Sequence, residues 1–203
     1  MSEPKIGRVL AASLHQAIDE LLPTRVEFYE SWLTAGRIRQ GELGRARITA
    51  VISFLREEGD AYDAVVDLAG RYTVDWTVDT VPAVERAALR WMPRPLRIRA
   101  VLRIAGRLIR GLHADGHLET AVRRGTAVIQ IDRSLFCNVR APATAPLCRF
   151  YSALTARCLE VHGIPCRARV SGCRATGAET CEVTIETRGL DDPDGGRPTT
   201  LGL

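Results

Sequence analysis

Six cysteines are the residues of this chain with the widest range of possible chemistry. A thiol can ionise and bind a metal, pair in a disulfide, or fill a small apolar space. Cys173 and Cys181 lie in two alternating segments that predict the facing strands of a hairpin, with Gly177 in its turn. Cys148 lies at the start of a helical pattern. A helix that begins at Cys148 and packs on the hairpin would bring three thiols together.

The predicted compartment bears on what these thiols do. The N-terminal sequence has no uninterrupted apolar stretch followed by a cleavage site, so we predict no secretory signal and a cytoplasmic protein. No apolar run approaches the roughly 18 residues that span a bilayer. Cysteines of a cytoplasmic chain are more often thiols or metal ligands than disulfides. We interpret Cys137, Cys158 and Cys166 as packing residues.

Motifs for redox chemistry are absent from the sequence. There is no GxGxxG after a predicted strand, no flavin signature and no ferredoxin-like run of cysteines. His113 and His117 are four residues apart, but Asp115 and Gly116 between them predict an exposed turn rather than a metal site. We therefore predict no redox cofactor, and we favour a binding protein over an enzyme.

The elements that must position these residues follow from apolar periodicity. Helical spacing predicts helices over residues 8–22, 24–36, 48–58 and 62–76, a short helix ending at Trp91, and an arginine-rich helix ending near Gly111. Strand patterns cover residues 118–123, 126–131, 166–173 and 181–187, with a helix over 147–161 between the two pairs. This order predicts an α+β fold in which N-terminal helices pack on a small antiparallel sheet.

Positive charge is concentrated in the arginine-rich helix, although the whole chain carries a formal charge of only +4. Arg99, Arg103 and Arg107 stand four residues apart, so they share one face of that helix. The face is either simply solvated or a surface for carboxylates or anionic lipid, which would allow peripheral membrane contact. No aromatic residues are interleaved with these arginines, and we therefore predict no nucleic-acid partner.

The segment from Ala145 to Ile185 resembles the closing motif of the 4-vinyl reductase domain. In that motif a cysteine and an aromatic pair open a helix, small residues follow, and a hairpin carries Cys-Arg-Ala-x-Gly and then a second cysteine. The matching residues here are Cys148, Phe150, Tyr151, Ser152, Ala153, Cys173, Arg174, Ala175, Gly177 and Cys181. A looser similarity to the bacteriochlorophyll 4-vinyl reductase branch extends over about residues 60–187.

The resemblance implies a domain organisation and a fold. Residues 1–60 form an N-terminal helical region that matches no known family, residues 61–190 form the 4-vinyl reductase-like domain with its tight motif in 145–185, and residues 191–203 form a flexible tail. The implied fold is the one shared with TRAPP trafficking subunits and haem-NO-type sensor relatives. Because such domains are often dimeric, we expect a homodimer.

The resemblance also implies a metal site. In the related phenol-responsive transcription activators, a similar domain holds a structural zinc on three cysteines and one glutamate. The cysteine positions correspond to Cys148, Cys173 and Cys181. The glutamate position is Val170, which cannot bind metal, so zinc would need Cys166, Glu179 or another group as its fourth ligand. Three interpretations stay open for these thiols: a structural zinc site, small packing residues, or a disulfide.

By resemblance, we expect a small-molecule-binding module that holds a hydrophobic ligand, for instance a tetrapyrrole, as a carrier or assembly factor in bacteriochlorophyll synthesis. The candidate ligand-binding residues combine aromatic surfaces with arginines that can pair with carboxylates. They are Trp76, Trp91, Arg99, Arg103, Arg107, Phe150 and Tyr151. The alternative is a TRAPP-like dimerising adaptor whose pocket is filled by its own side chains. An open apolar cavity would favour the first function and a dry core the second.

Overall fold

The computed structural model describes residues 7–41, 43–78, 82–112, 118–123, 126–139 and 141–187. The described helices are α1 (Arg8–Leu21), α2 (Val26–Glu30), α3 (Ala35–Gln40), α4 (Arg45–Glu57), α5 (Asp60–Thr77), α6 (Ala83–Trp91), α7 (Arg94–Leu112) and α8 (Arg149–Val161). The described strands are β1 (Leu118–Arg123), β2 (Thr126–Ile131), β3 (Arg167–Gly172) and β4 (Cys181–Glu186). The predicted tail and the pair His113 and His117 lie outside these residues.

The four strands form one antiparallel sheet in the order β1-β2-β4-β3. Along β2 and β4, every second side chain is buried, and these side chains share the face on which the helices pack. The register pairs Ile131 with Cys181, which brings the end of β2 opposite the start of β4. The sheet and its covering helices confirm the predicted α+β fold.

The helices are stacked in layers above this sheet. Helix α8 packs on β3 and β4, α5 packs on α8, and α1 packs on α5. The α5–α8 contact is close because Gly70 has no side chain: a Cβ atom built there would lie 2.5 Å from the Phe150 carbonyl oxygen. One buried apolar cluster runs from Leu10 on α1 to Ile185 on β4. The first helices therefore share one core with the elements that follow residue 60, and the domain boundary at residue 60 stays a prediction.

The predicted helix over residues 24–36 is divided in the structure. A 3-10 turn at Pro23–Arg25 leads into α2, and α3 follows after a break. The hydroxyl of Ser31 donates to the Phe28 carbonyl at 2.7 Å, a local bond that competes with helix continuation, and the chain then turns so that Leu33 is fully buried. Gly36, predicted as the helix stop, lies inside α3, which ends instead at Gly41 with a φ of 67°.

Helix α7 is the longest described helix, with 19 residues from Arg94 to Leu112. Its buried stripe includes Ile98, Val101, Ala105 and Ile109, which packs the helix against α8. None of the helices in the described part of the chain combines the length and apolar character needed to cross a bilayer.

Candidate metal centre

Four thiols meet at one end of the sheet: Cys137, Cys148, Cys173 and Cys181, here called the thiol centre. All of their sulfur atoms lie within 4.8 Å of one another. The shortest separation is 2.8 Å, between Cys137 and Cys148, and the Cys148–Cys181 separation is 3.0 Å. The Cys137 sulfur lies 3.3 Å from those of Cys173 and Cys181, and the Cys148 and Cys173 sulfurs are 3.5 Å apart. The three cysteines grouped by resemblance are therefore close in space, and a fourth joins them.

Each thiol is placed by a different element. Cys137 ends a 3-10 turn (Leu135–Cys137) that follows β2, and Cys148 immediately precedes α8. Cys173 follows β3 directly, and Cys181 is the first residue of β4. Because β2 and β4 are paired at this end, the turn after β2 arrives beside the start of β4. The turn after β2, the start of α8 and the β3–β4 hairpin thus converge on one point.

The interpretation of Cys137 as a packing residue is incomplete, because its sulfur occupies the position that a fourth ligand would take. Val170 lies on β3 outside the thiol centre, and neither Cys166 nor Glu179 belongs to the cluster. Cys166 is half-buried near the Ala156 carbonyl oxygen at 3.9 Å. Val170 stands where the resemblance expects a glutamate ligand, and the fourth possible ligand is instead Cys137, which lies in the turn after β2.

The sulfur separations suit a bound metal better than a disulfide. An S–S bond is about 2.05 Å long, so separations of 2.8 to 3.5 Å are too long for a disulfide. Around a tetrahedral zinc with Zn–S bonds of about 2.3 Å, sulfur atoms stand roughly 3.8 Å apart. A small outward movement of each sulfur would produce that geometry. Cys148, Cys173 and Cys181 are buried and Cys137 is partly buried, as expected for a closed site.

The protonation of the centre depends on its own contacts. The thiol contact with Cys137, followed by those with Cys148 and Cys181, lowers the pKa of Cys173 well below its usual value. The contact with Cys137 also raises the pKa of Cys148 far above its usual value, and burial adds to that shift. The cluster thus holds negative charge at one sulfur and resists it at another. A bound divalent cation would allow all four thiols to be deprotonated, because a coordinating thiol loses its proton.

Backbone and hydroxyl groups supply further polar contacts around the sulfurs. The Leu147 amide donates to the Cys173 sulfur at 3.4 Å, which favours the thiolate form. Ser134 is buried; its hydroxyl oxygen accepts from the Phe136 amide at 3.2 Å and lies 3.9 Å from the Cys148 sulfur. Such contacts orient ligands and tune a metal site.

Two side chains from the N-terminal helices hold the loops of the centre. Arg56 on α4 donates to the Phe136 carbonyl at 2.8 Å and to the Asn138 carbonyl at 3.1 Å, on either side of Cys137. Tyr62 on α5 donates to the Leu147 carbonyl at 2.8 Å, next to Cys148. These contacts span 80 or more residues of sequence, so sequence reasoning missed both side chains.

The predicted ligand-binding aromatics of α8 are interior residues. Phe150 and Tyr151 are fully buried and form an aromatic cluster with Phe136, whose ring lies 4.9 Å from that of Phe150 and 5.5 Å from that of Tyr151. The cluster fills the space beneath the loop of Cys137. In the described residues, these rings pack against one another rather than line an open cavity.

The other predicted ligand-binding residues are dispersed over the surface. Trp76 ends α5 with 44% of its surface exposed, stacked on Tyr72, and Trp91 ends α6 with 90% exposed. Arg99, Arg103 and Arg107 are exposed on α7. The structure therefore does not bring the seven residues together around one ligand position.

A cleft of about 670 Å³ lies between α5, α8 and β3. Its walls are charged, and its ion pairs include Arg149 with Asp63 at 2.8 Å and Arg71 with Asp67 at 3.3 Å. Its lining also includes Ala145, Pro146, Ser152, Ala153, Ala156, Glu160, Cys166, Arg167, Ala168, Arg169, Val170 and Glu186. None of the seven predicted ligand-binding residues lines this cleft, which sequence reasoning did not find.

Comparison with solved structures relates this architecture to H-NOX domains. A histidine-to-glycine mutant of an H-NOX domain from Shewanella oneidensis, studied by NMR in the Fe(II)CO ligation state, has a TM-score of 0.56 and 12% identity, covering 93% of this chain and 99% of that chain. The H-NOX domain of that organism without the mutation, in the same ligation state, has a TM-score of 0.51 and 10% identity, with 87% and 98% covered. No protein-family model and no curated protein matches the chain.

At these identities the likeness concerns the fold alone. This chain has an H-NOX-like fold. The haem-NO-type relationship implied by the 4-vinyl reductase resemblance is thereby confirmed for the architecture. The 4-vinyl reductase family itself, its link to bacteriochlorophyll and the expected dimer stay predictions.

Proposed function

We propose that this chain is a zinc-braced small-molecule-binding module of the 4-vinyl reductase type. The observation that carries the proposal is the convergence of Cys137, Cys148, Cys173 and Cys181 from separate elements, with all sulfurs within 4.8 Å. Thiols packed only as small apolar residues have no reason to gather in this way, since each would fill a different gap in the core.

The donor set favours zinc in a structural role. Four thiolates in a tetrahedral arrangement select zinc or iron among the common metals. A site with four protein ligands has no open position for substrate, so its role is to hold elements together. Zinc on the thiol centre would join the turn after β2, the start of α8 and the β3–β4 hairpin.

The cleft between α5, α8 and β3 is the proposed small-molecule site. It is large enough for a sizeable organic ligand, and Arg71, Arg149, Arg167 and Arg169 lie in its lining. These guanidinium groups suit a ligand with carboxylates, such as a tetrapyrrole, although carboxylate side chains in the walls compete for them. The loop through Ala145 and Pro146 belongs to this cleft and leads directly to Cys148, so zinc would also brace the cleft wall. The similar H-NOX domains, studied in an Fe(II)CO state, support a ligand-binding role for this architecture.

A second candidate function is the dimerising adaptor. The observation that favours it is the packing of Phe150 and Tyr151 of α8 against Phe136, each at most 1% exposed. A domain whose interior is filled by its own side chains can act through its surface instead of through a buried ligand.

Metal analysis and native mass spectrometry of the purified protein test these proposals. We expect one zinc per chain, lost in Cys137→Ser and retained in the matched control Cys158→Ser. A retained organic mass that is reduced in Arg149→Gln would support the cleft as the ligand site. A zinc-containing dimer with no organic mass would favour the adaptor. Protein without zinc or iron, with four thiols that react freely with an alkylating reagent, would contradict the metal centre.

A further inference from the structure

Helix α6 exposes an apolar stripe. Val84, Ala87, Ala88 and Trp91 are spaced i, i+3, i+4 and i+7, so they share one helix face, and all four are exposed. Val84 is 81% exposed and Trp91 is 90% exposed. Leu96, just beyond the helix, is 51% exposed and continues the apolar surface. A tryptophan exposed to this degree indicates a surface that contacts something other than water.

The opposite side of α6 holds the helix in place. Leu89 is only 3% exposed, and it lies near Val78, Val161 and His162 at the end of α8. The helix is therefore seated on the protein through Leu89, while its apolar stripe points away from the core. Trp91 is therefore exposed although α6 itself is packed on the protein.

Positive charge surrounds the apolar stripe. The segment from Pro82 to Leu112 contains eight arginines and a single acidic residue, Glu85, so its formal charge is +7 in a chain whose total is +4. The arginines are Arg86, Arg90, Arg94, Arg97, Arg99, Arg103, Arg107 and Arg110. The rest of the chain therefore carries a net formal charge of −3, so the positive excess of the whole chain comes from the segment that contains α6 and α7.

The arrangement of the two helices places arginines beside the stripe. Arg107 near the end of α7 pairs with Glu85 at the start of α6, at 2.7 Å, so the two helices run antiparallel as a hairpin. Arg103 and Arg99 lie one and two turns before Arg107 on the same face of α7. They are exposed on the face of α7 that also carries the contact of Arg107 with α6.

We propose that the α6–α7 hairpin is a docking surface for an anionic lipid bilayer, with Val84, Trp91 and Leu96 entering the interface and the exposed arginines of α7, Arg99, Arg103 and Arg110, contacting headgroup phosphates. An interfacial helix has this combination of a tryptophan-bearing apolar face and arginine borders. A second copy of this face is a poor partner because two segments of charge +7 would repel. A nucleic acid offers phosphates but gains nothing from the apolar stripe.

Co-sedimentation of the full chain with vesicles tests this proposal. We expect binding to phosphatidylcholine vesicles that contain phosphatidylglycerol, weak binding to pure phosphatidylcholine, and a loss of binding at high salt. The Arg99→Gln/Arg103→Gln/Arg110→Gln variant should bind on the order of 100-fold more weakly, since each arginine near an anionic surface contributes roughly fivefold. Trp91→Ala should weaken binding about tenfold. Addition of anionic vesicles should also shift the tryptophan emission of the wild type to shorter wavelength.

Matched controls separate this surface from general charge and hydrophobicity. Arg37→Gln on α3 and Leu21→Ala on α1 remove an exposed arginine and an exposed leucine elsewhere, and both should bind as the wild type does. The proposal is overturned if the wild type does not sediment with anionic vesicles, or if the α6–α7 variants and the controls bind alike. Self-association that is abolished by Trp91→Ala, without vesicle binding, would assign the face to a second copy and also overturn it.

Discussion

The thiol centre and the α6–α7 surface differ in how their residues depend on one another. Around the thiol centre, sulfurs from four separate positions lie within 4.8 Å, and Arg56 and Tyr62 hold the loops that carry two of them. On α6 and α7, most of the arginines are exposed and act on their surroundings singly. A buried site fails when one member is lost, whereas an exposed surface loses its effect in increments.

Removal of metal should produce the largest effect. Structural zinc on cysteine-rich sites contributes about 10 kcal/mol of folding free energy at neutral pH. We expect a strong chelator to unfold the β3–β4 hairpin and α8, seen as a loss of circular dichroism and a large fall in Tm that added zinc reverses. A Tm that is the same with and without chelator would show that the thiol centre does not depend on a metal for its stability.

Gly70→Ala should be the most damaging single substitution away from the cysteines. The new Cβ would lie 2.5 Å from the Phe150 carbonyl oxygen and 3.1 Å from the Ala153 Cβ, so α5 and α8 must separate. We expect a loss of about 3 kcal/mol in the free energy of unfolding, measured by urea denaturation. The control Gly36→Ala lies on a helix with no atom within 4 Å of the new Cβ and should be neutral or slightly stabilising.

A pH series can separate the thiol centre from Cys158, a buried thiol near the opposite end of α8. Burial raises the pKa of Cys158 to about 12, whereas an unfolded cysteine has a pKa near 8.5. Between these values the unfolded chain releases a proton that the folded chain retains, so stability is full below about pH 8.5 and falls as pH rises. From Cys158 alone we expect a loss of about 2 kcal/mol at pH 10 in urea denaturation. Burial also raises the pKa of Cys166, to about 11, so the loss should become smaller in Cys158→Ser but not disappear.

Arg56→Met tests whether the N-terminal helices support the centre. The variant loses the donors to the Phe136 and Asn138 carbonyls, so the loop of Cys137 becomes less well positioned. We expect zinc affinity, measured by competition with a chromogenic chelator, to fall about tenfold. Arg37→Met, on the exposed side of α3, should leave the affinity unchanged. Equal affinities in both variants would mean that the cysteines are positioned by the sheet alone.

Arg103→Gln should have the smallest effect on stability. Its side chain is exposed on α7, and surface substitutions of this kind change the free energy of unfolding by less than about 0.5 kcal/mol. A chelator should lower the Tm of this variant as much as that of the wild type. A larger loss of stability would show that the α6–α7 surface is coupled to the core and is not a set of independent charges.

The sequence predicts much of the fold because its periodicity is strong. The helices and strands occur where apolar spacing places them, apart from the break between α2 and α3. For the thiol centre, the hairpin and α8 predict three of the four cysteines. Cys137 was missed because it lies in a loop without a motif, after Arg133 in a left-handed conformation with a φ of 53°. The pairing of β2 with β4 could have located Cys137, because the end of β2 lies opposite Cys181 and the turn that carries Cys137 follows β2.

The orientation of α6 shows a second limit of sequence reasoning. The spacing of Val84, Ala87, Ala88 and Trp91 predicts an apolar face, and such a face is ordinarily buried. Periodicity alone does not say whether the stripe faces the core or the solvent. That distinction depends on Leu89, a single residue that anchors the opposite side of the helix.

The contact between Arg56 and the loop of Cys137 has a consequence for synthesis on the ribosome. The N-terminal helices emerge first, but Cys181, the last cysteine of the thiol centre, follows Arg56 only after on the order of ten seconds of translation at typical rates. Throughout that interval the surface of α4 and α5 that receives the loops has nothing to cover it. A nascent chain arrested before Cys181 would therefore expose this surface to chaperones. On the proposed function, metal binding would follow once Cys181 has emerged and the loops cover the surface.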